Sequence, residues 1–220
     1  MVLSSFAPNW FYGYDVVLEL FFAIMSLVVA ALAFRLYKKT SQRNLALFGT
    51  SFLLIGFSYF IQSIINFLII SKVNENICRA IKIQSISSFN NLGLFVHIFF
   101  MTIGLSVLIY LTCKQERVRA LFLLAFISLL GIFLSKNVVY SFYLFSSIFL
   151  VFISWHFISN YLKNKKSNTL VIALAFLFLL FSNIHFIVSV NHQLFYVIGH
   201  LLELIAYVLI SVNYYLILKK

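Results

Sequence analysis

Residues 193–218, QLFYVIGHLLELIAYVLISVNYYLIL, decide the fold class of this chain. The segment is longer than the roughly 20 apolar residues that cross the hydrocarbon core of a bilayer, and Glu203 is its only acidic or basic residue apart from one histidine. This length and composition predict a transmembrane helix. The same segment carries His200 and Glu203, two residues that hydrocarbon disfavours.

The rest of the chain repeats this pattern. Of its 220 residues 63% are hydrophobic and only 10% are charged, whereas a soluble domain is near half apolar and about a quarter charged. We therefore predict an all-α, polytopic membrane protein, folded as one domain over residues 1–220. It is a bundle of seven transmembrane helices with the lipid bilayer as its main partner. The predicted spans are 11–37, 45–71, 88–112, 118–135, 138–162, 169–190 and 193–218.

The distribution of positive charge predicts the orientation in the membrane. The net charge is +11, and twelve of the sixteen Lys and Arg residues lie at alternate span ends, in 35–43, 114–119, 163–166 and 219–220. The positive-inside rule places these ends in the cytoplasm. In the cell membrane, the N-terminus then lies outside the cell and the C-terminus lies in the cytoplasm. Basic residues at span ends are topology signals, and we predict no nucleic-acid partner. Any cytoplasmic protein partner is expected at these basic loops.

Two smaller features of the loops complete the topology. On this arrangement Cys78 and Cys113 lie on opposite sides of the membrane, so no disulfide joins them. The longest connection, 71–87, is predicted to hold a short interfacial helix.

Four of the spans carry ionisable residues at similar depth. Glu19, His97, His185, His200 and Glu203 all fall in the outer half of the predicted bundle when depth is counted at about 1.5 Å per residue. Such a group costs about 2.5 to 3.5 kcal/mol near the centre of a bilayer, so it indicates a functional site. Helical spacing puts these residues on polar stripes that face other helices. Amide side chains join them: Gln62 and Asn66 on the polar stripe of the second span, and Asn183 beside the stripe of the sixth.

This set of residue types suits a transition metal. Neutral imidazole is a common ligand, and three protein ligands plus water form the open arrangement of a catalytic zinc. We predict His97, His185 and His200 as ligands of zinc or iron, with Glu203 as a fourth ligand or a base. The surrounding polar residues would orient the ligands or carry protons: Glu19, Gln62, Asn66 and Asn183. A metal would support redox, sensing or hydrolytic chemistry.

Haem b is an alternative cofactor. It needs two histidines on facing helices at like depth, with small residues that leave room for the ring. His97 has Gly93 and Gly104 on its own helix, and it could pair with His185 or His200. A haem would indicate electron transfer or sensing.

Two further interpretations need no cofactor. The glutamates and histidines would form a proton relay in a small proton-coupled transporter of small solutes, or line the cavity of a seven-helix sensor or receptor module that signals through a partner. The same side chains could also serve only as hydrogen-bonding contacts between helices. The sequence leaves these alternatives open, and it does not decide whether the protein is an enzyme or what its oligomeric state is.

Overall fold

The computed structural model follows the apolar segments of the sequence as a set of long helices. It describes residues 8–11, 13–74, 83–113, 117–189 and 192–219. These ranges contain no β-strand. The seven α-helices are α1 (Tyr14–Thr40), α2 (Arg43–Asn74), α3 (Ile83–Thr112), α4 (Val118–Phe133), α5 (Val138–Asn164), α6 (Ser167–Val188) and α7 (Leu194–Lys219). Helices suit hydrocarbon because each one satisfies its backbone hydrogen bonds internally.

Each helix begins and ends within five residues of a predicted span. The first span starts three residues later than expected, because residues 9–11 form a separate 3₁₀ turn ahead of α1. The short helix expected in the 71–87 connection falls largely on residues 75–82, and it lies outside the described residues together with Cys78.

Specific residues end the helices. Ser41 and Lys165 adopt the left-handed conformation, with φ of 56° and 49°, and each donates its backbone N–H to the carbonyl of the residue four positions earlier. This arrangement satisfies a carbonyl that the helix end would leave unpaired. Asn137 caps the start of α5 by accepting a hydrogen bond from the backbone N–H of Tyr140. Gly13 has φ of 99°, which a residue with a side chain rarely adopts, and it turns the chain into α1.

Six helices pack side by side in a closed ring. Around the ring the order is α1, α2, α3, α5, α6 and α7, and α7 packs against α1 to close it. α4 lies outside the ring against α3 and α5. It buries only Ser128 and Ile132 and exposes large apolar side chains such as Phe122, which is 70% exposed. α4 is therefore peripheral to the ring.

Glycines allow close contacts within the ring and at α4. A Cβ atom on Gly104 of α3 would lie 2.8 Å from a side-chain carbon of Ile55 and 3.0 Å from the backbone oxygen of Ser51, both on α2. Small residues at helix contacts are typical of membrane bundles, where packing replaces the hydrophobic effect as the main attraction between helices.

Six of the helices are long and apolar enough to cross a membrane, which is consistent with a multi-pass integral membrane protein. The exception is α4. Its 16 residues extend about 24 Å, less than the roughly 30 Å of a hydrocarbon core. The last turn of α4 lies beside the first half of α3, because the Phe133 and Phe95 rings are 5.7 Å apart. α4 therefore runs antiparallel to α3 and returns the chain to the level at which α5 begins.

Candidate functional site

A small polar cavity lies inside the ring, in the half that contains the start of α1. Its volume is about 40 Å³, which holds one to three water molecules. All six helices of the ring contribute to its wall. The lining residues are Glu19, Tyr59, Gln62, Leu94, His97, Met101, Phe142, Tyr143, Asn183, Phe186, Tyr196, His200 and Glu203. We call this half of the bundle the cavity half, and the other half, which contains the end of α1, the far half.

Four of the sequence-predicted ionisable residues meet at this cavity. Glu19, His97, His200 and Glu203 come from α1, α3 and α7, which are not all neighbours in the chain. Glu203 is 2% exposed and Glu19 is 6% exposed. None of the described lysine or arginine side chains lines the cavity. Two buried carboxyl groups therefore share one small space without a cationic side chain of Lys or Arg to neutralise them.

Glu203 joins two other helices through its carboxyl group. The hydroxyl of Tyr59 on α2 donates a hydrogen bond to Oε1 of Glu203 on α7. The second oxygen, Oε2, lies 3.6 Å from Nδ1 of His200, one turn earlier on α7. That distance exceeds the range of a hydrogen bond, and a closing of about 0.5 Å would bring the pair into it. Glu203 Oε2 is thus left available to the cavity.

Aromatic rings surround His200. The imidazole stacks on Phe11 at 5.8 Å and on Phe22 at 6.0 Å, while Phe186 and Tyr196 meet it edge-on at 5.0 and 4.6 Å. His200 is 5% exposed, and neither ring nitrogen has a hydrogen-bond partner among the described residues. A buried polar atom left unpaired costs about 1 to 3 kcal/mol, so two on one side chain indicate a partner that binds in the cavity.

The side chain of Phe11 packs against two residues of the cavity half. The Asn9–Phe11 turn is held by the backbone N–H of Phe11, which donates to the carbonyl of Pro8. The Phe11 ring is buried and contacts both Tyr196 and His200. The segment that precedes α1 therefore covers the histidine.

Two amides of α2 hold Glu19 in place. Nδ2 of Asn66 donates to both carboxyl oxygens of Glu19, at 3.1 and 2.9 Å. Nε2 of Gln62 donates in turn to Oδ1 of Asn66 at 3.3 Å. These hydrogen bonds use the amide nitrogen of Gln62. The Oε1 atom of Gln62 is buried and has no hydrogen-bond partner among the described residues.

The orientation of His97 is set by Ser58. The Ser58 hydroxyl donates to the backbone carbonyl of His97 at 3.1 Å, and its oxygen lies 2.7 Å from Nδ1 of the same residue. Because the hydroxyl has a single hydrogen, Nδ1 must donate the second bond and so carries the proton. With the proton on Nδ1, the neutral form of His97 keeps the lone pair of Nε2 free.

On α6 the structure separates two predicted site residues. Asn183 lines the cavity and donates to the carbonyl of Leu179 at 3.0 Å. His185 does not line it: the ring is half-exposed, Nδ1 donates to the carbonyl of Phe181 at 2.7 Å, and the ring lies 5.5 Å from Phe195. The inward face of α6 is centred on Asn183 and Phe186, and His185 lies beside that face.

Tyr59 and Tyr143 were not among the predicted site residues, and both line the cavity. Tyr59 precedes Gln62 by three residues, so it lies on the same face of α2, and this spacing was the available signal. Tyr143 follows the start of α5 by five residues, in a stretch where nothing in the sequence distinguishes it from other aromatic residues.

No group of three or more His, Cys, Asp or Glu side chains in the described ranges is placed to hold a metal ion. The space beside the two glycines that were expected to make room for a haem is also occupied by side chains. A Cβ on Gly93 would meet Ile65 at 2.9 Å, and one on Gly104 would meet Ile55 at 2.8 Å. These glycines serve contacts between α2 and α3. The metal and haem interpretations remain predictions from the sequence.

This chain matches no protein-family model, no curated protein and no solved structure. The chemistry of the cavity is therefore the basis for assigning a function.

Proposed function

We propose that this protein is a seven-span transporter of the cell membrane, with its N-terminus outside, that couples movement of a small solute to movement of protons. The observation that supports this most is one small cavity with two buried carboxyl groups and two histidines at its wall. Ionisable groups inside a membrane bundle mark proton relays and substrate pathways. The size of the cavity restricts the solute to a few heavy atoms.

The proposed seven-span topology has support from two directions. α4 returns the chain from the end of α3 to the start of α5, and these two helices both place their first halves at the cavity. Ten basic residues of the described ranges lie at the far-half ends of the helices or in the connections there, and this bias favours a cytoplasmic far half. The cavity then lies in the outer half of the bundle.

In this mechanism Glu203 and His200 exchange the coupled proton. Their facing atoms, Oε2 and Nδ1, are 3.6 Å apart, which is close enough for direct transfer after a small approach. Tyr59 keeps the carboxyl group in place by its hydrogen bond to Oε1. A solute that enters the cavity from one side of the membrane would displace this proton, and the proton would be released to that same side. After the cavity opens to the other side, the solute would leave and a proton from that side would bind to the pair.

Proton flux into liposomes tests this function. Purified protein is reconstituted with a trapped pH-sensitive dye, and a panel of small neutral, anionic and cationic solutes is added outside, with protein-free liposomes to subtract passive leak. At least one solute is expected to drive proton movement, and Glu203→Gln should reduce it more than tenfold. Glutamine keeps an acceptor for Tyr59, so the helix contact survives.

His185→Ala is the matched control. This histidine lies at a similar depth but outside the cavity wall, and the flux should stay within about twofold of the unmodified protein. Equal proton flux in the unmodified protein and Glu203→Gln for every solute would contradict the proposal.

Metal binding is the second candidate. The observation that favours it is the pair of unpartnered nitrogens on His200, together with the free Nε2 of His97 at the same cavity. His97, His200 and Glu203 would hold the ion only after their side chains move closer together, because no three such side chains in the described ranges are placed for a metal. His185 would take part only after rotation of α6. Elemental analysis of purified protein separates the two candidates. Stoichiometric zinc or iron that is lost in His200→Phe supports metal binding, and protein without either metal rules metal binding out.

A further inference from the structure

Several hydrogen-bond acceptors on residues that line the cavity are not filled by any described residue. Oε1 of Gln62 is buried and unpartnered, and Oε2 of Glu203 accepts no hydrogen bond from any described residue. The nearby amides use part of their donor capacity within the protein. Asn66 donates to Glu19, Gln62 donates to Asn66, and Asn183 donates to its own helix. A ligand that fills these acceptors must supply donors.

The histidines add two nitrogen atoms to this set of acceptors. His97 carries its proton on Nδ1, which leaves the lone pair of Nε2 free. His200 has both nitrogens unpartnered, and when Nδ1–H is directed to Glu203 at 3.6 Å, Nε2 is an acceptor as well. Four acceptors thus belong to residues that line the cavity: Gln62 Oε1, Glu203 Oε2, His97 Nε2 and His200 Nε2.

Charge and ring chemistry favour a positive ligand. Glu19 and Glu203 are the acidic groups at the wall, and no described Lys or Arg opposes them there. Aromatic side chains make up much of the remaining wall, and their ring faces attract cations by about 0.5 to 2 kcal/mol or more when water is excluded. The aromatic lining residues are Tyr59, Phe142, Tyr143, Phe186 and Tyr196.

Size narrows the class further. A volume of about 40 Å³ admits an ion close to a water molecule in size and excludes amines with bulky substituents. The ammonium ion combines that size with one positive charge and four N–H donors. K⁺ has the same charge and similar radius, but it has no hydrogen to donate to the imidazole nitrogens and the amide oxygen.

We propose that the cavity binds the ammonium ion and exchanges it for a proton. The exchange is balanced: one NH₄⁺ enters, and one H⁺ leaves from the Glu203–His200 pair, so the charge in the cavity does not change. This inference rests on the proposed proton-coupled transport and names its solute. The unpartnered, nine-tenths-buried His200 and Gln62 separate this site from a simple group of acidic residues.

Calorimetry on purified, detergent-solubilised protein tests the inference without interference from ammonia that permeates liposomes. Ammonium chloride is titrated in two buffers of different ionisation enthalpy, so that the heat difference counts the protons released. Potassium chloride and urea are titrated in parallel, because K⁺ has the charge without N–H donors and urea has donors without the charge. We expect ammonium to bind at least tenfold more tightly than either, with release of about one proton per ion.

A pair of variants locates the binding site. Gln62→Met removes the unpartnered acceptor while keeping the length of the side chain, and it should weaken ammonium binding about tenfold or more. Ser211→Ala, which removes an unpartnered buried hydroxyl away from the cavity, should leave binding within about twofold. Both proteins are first compared with the unmodified protein by size-exclusion chromatography to verify folding.

Two outcomes would overturn the inference, and the liposome assay then shows whether the proposed transport function fails with it. If ammonium binds no better than K⁺, or binds without proton release, the ligand is not ammonium. Proton flux in liposomes that depends on Glu203 with another solute would then keep the transporter and change only its solute. If no solute gives proton flux that depends on Glu203, the proposed transport function is also wrong.

Discussion

The two halves of the ring are built from the same helices but bury different chemistry. In the cavity half the buried polar groups include carboxyl and imidazole side chains, namely Glu19, His200 and Glu203. In the far half they are neutral, for example Ser154, Ser211 and Asn213. Stacked aromatic rings fill the far half, with Phe157 and Phe176 at 5.0 Å and nearly parallel.

This difference indicates where stability and where function lie. Close packing of rings and small residues stabilises a membrane bundle at little polar cost. Ionisable groups without Lys or Arg partners destabilise it, and they persist only where something else requires them. We infer that the far half holds the helices together and that the cavity half keeps costly groups for use. Three predictions test this division.

The largest effect is expected for His200→Phe. The substitution keeps a ring of similar size among Phe11, Phe22, Phe186 and Tyr196, and it removes two buried nitrogens that lack partners. Stability should rise by about 1 to 3 kcal/mol, while solute-driven proton flux falls more than tenfold. Thermal denaturation in detergent and the liposome assay measure the two effects. A loss of stability would mean that His200 is a structural contact.

Gly104→Val should have the next largest effect and should act on stability. Its Cβ would lie 2.8 Å from Ile55 and 3.0 Å from a backbone oxygen of Ser51, which cannot move without moving α2. Such overpacking costs about 1 to 3 kcal/mol. The control is Gly131→Ala on the peripheral α4, where the closest atom is the tip of the Phe145 ring at 2.8 Å and can move aside. Equal losses of thermal stability in the two variants would contradict this account of the ring.

A matched pair of Tyr→Phe substitutions compares the halves most directly, with the smallest effects. Tyr59→Phe in the cavity half removes the hydroxyl that donates to Glu203, and it should cost about 0.5 to 1.5 kcal/mol, the range for a typical hydrogen bond. Tyr214→Phe in the far half keeps the ring that stacks on Phe48 at 5.2 Å, and it should cost less than about 0.5 kcal/mol. If both variants denature at the same temperature, Glu203 does not depend on Tyr59.

Most of the fold was predictable from the sequence, because the length and apolarity of a span are properties of a short segment. The helix bounds follow the predicted spans closely, and helical spacing placed Glu19, His97, His200 and Glu203 on inward faces. Spacing was not sufficient for His185. It is about 60° around the helix from Ser182, and whether such a residue faces inward depends on the rotation of α6 against its neighbours.

By itself the sequence determined that this chain forms long apolar helices with ionisable residues in one half, because the bilayer acts on each segment separately. Only the tertiary structure decided which of those residues meet. In that structure Tyr59 donates a hydrogen bond to Glu203, and aromatic rings from four segments surround His200. Side chains occupy the space beside Gly93 and Gly104, and His185 lies outside the cavity wall. The physical reason is that contacts between helices depend on their rotation and separation, which side-chain packing across the whole ring sets together.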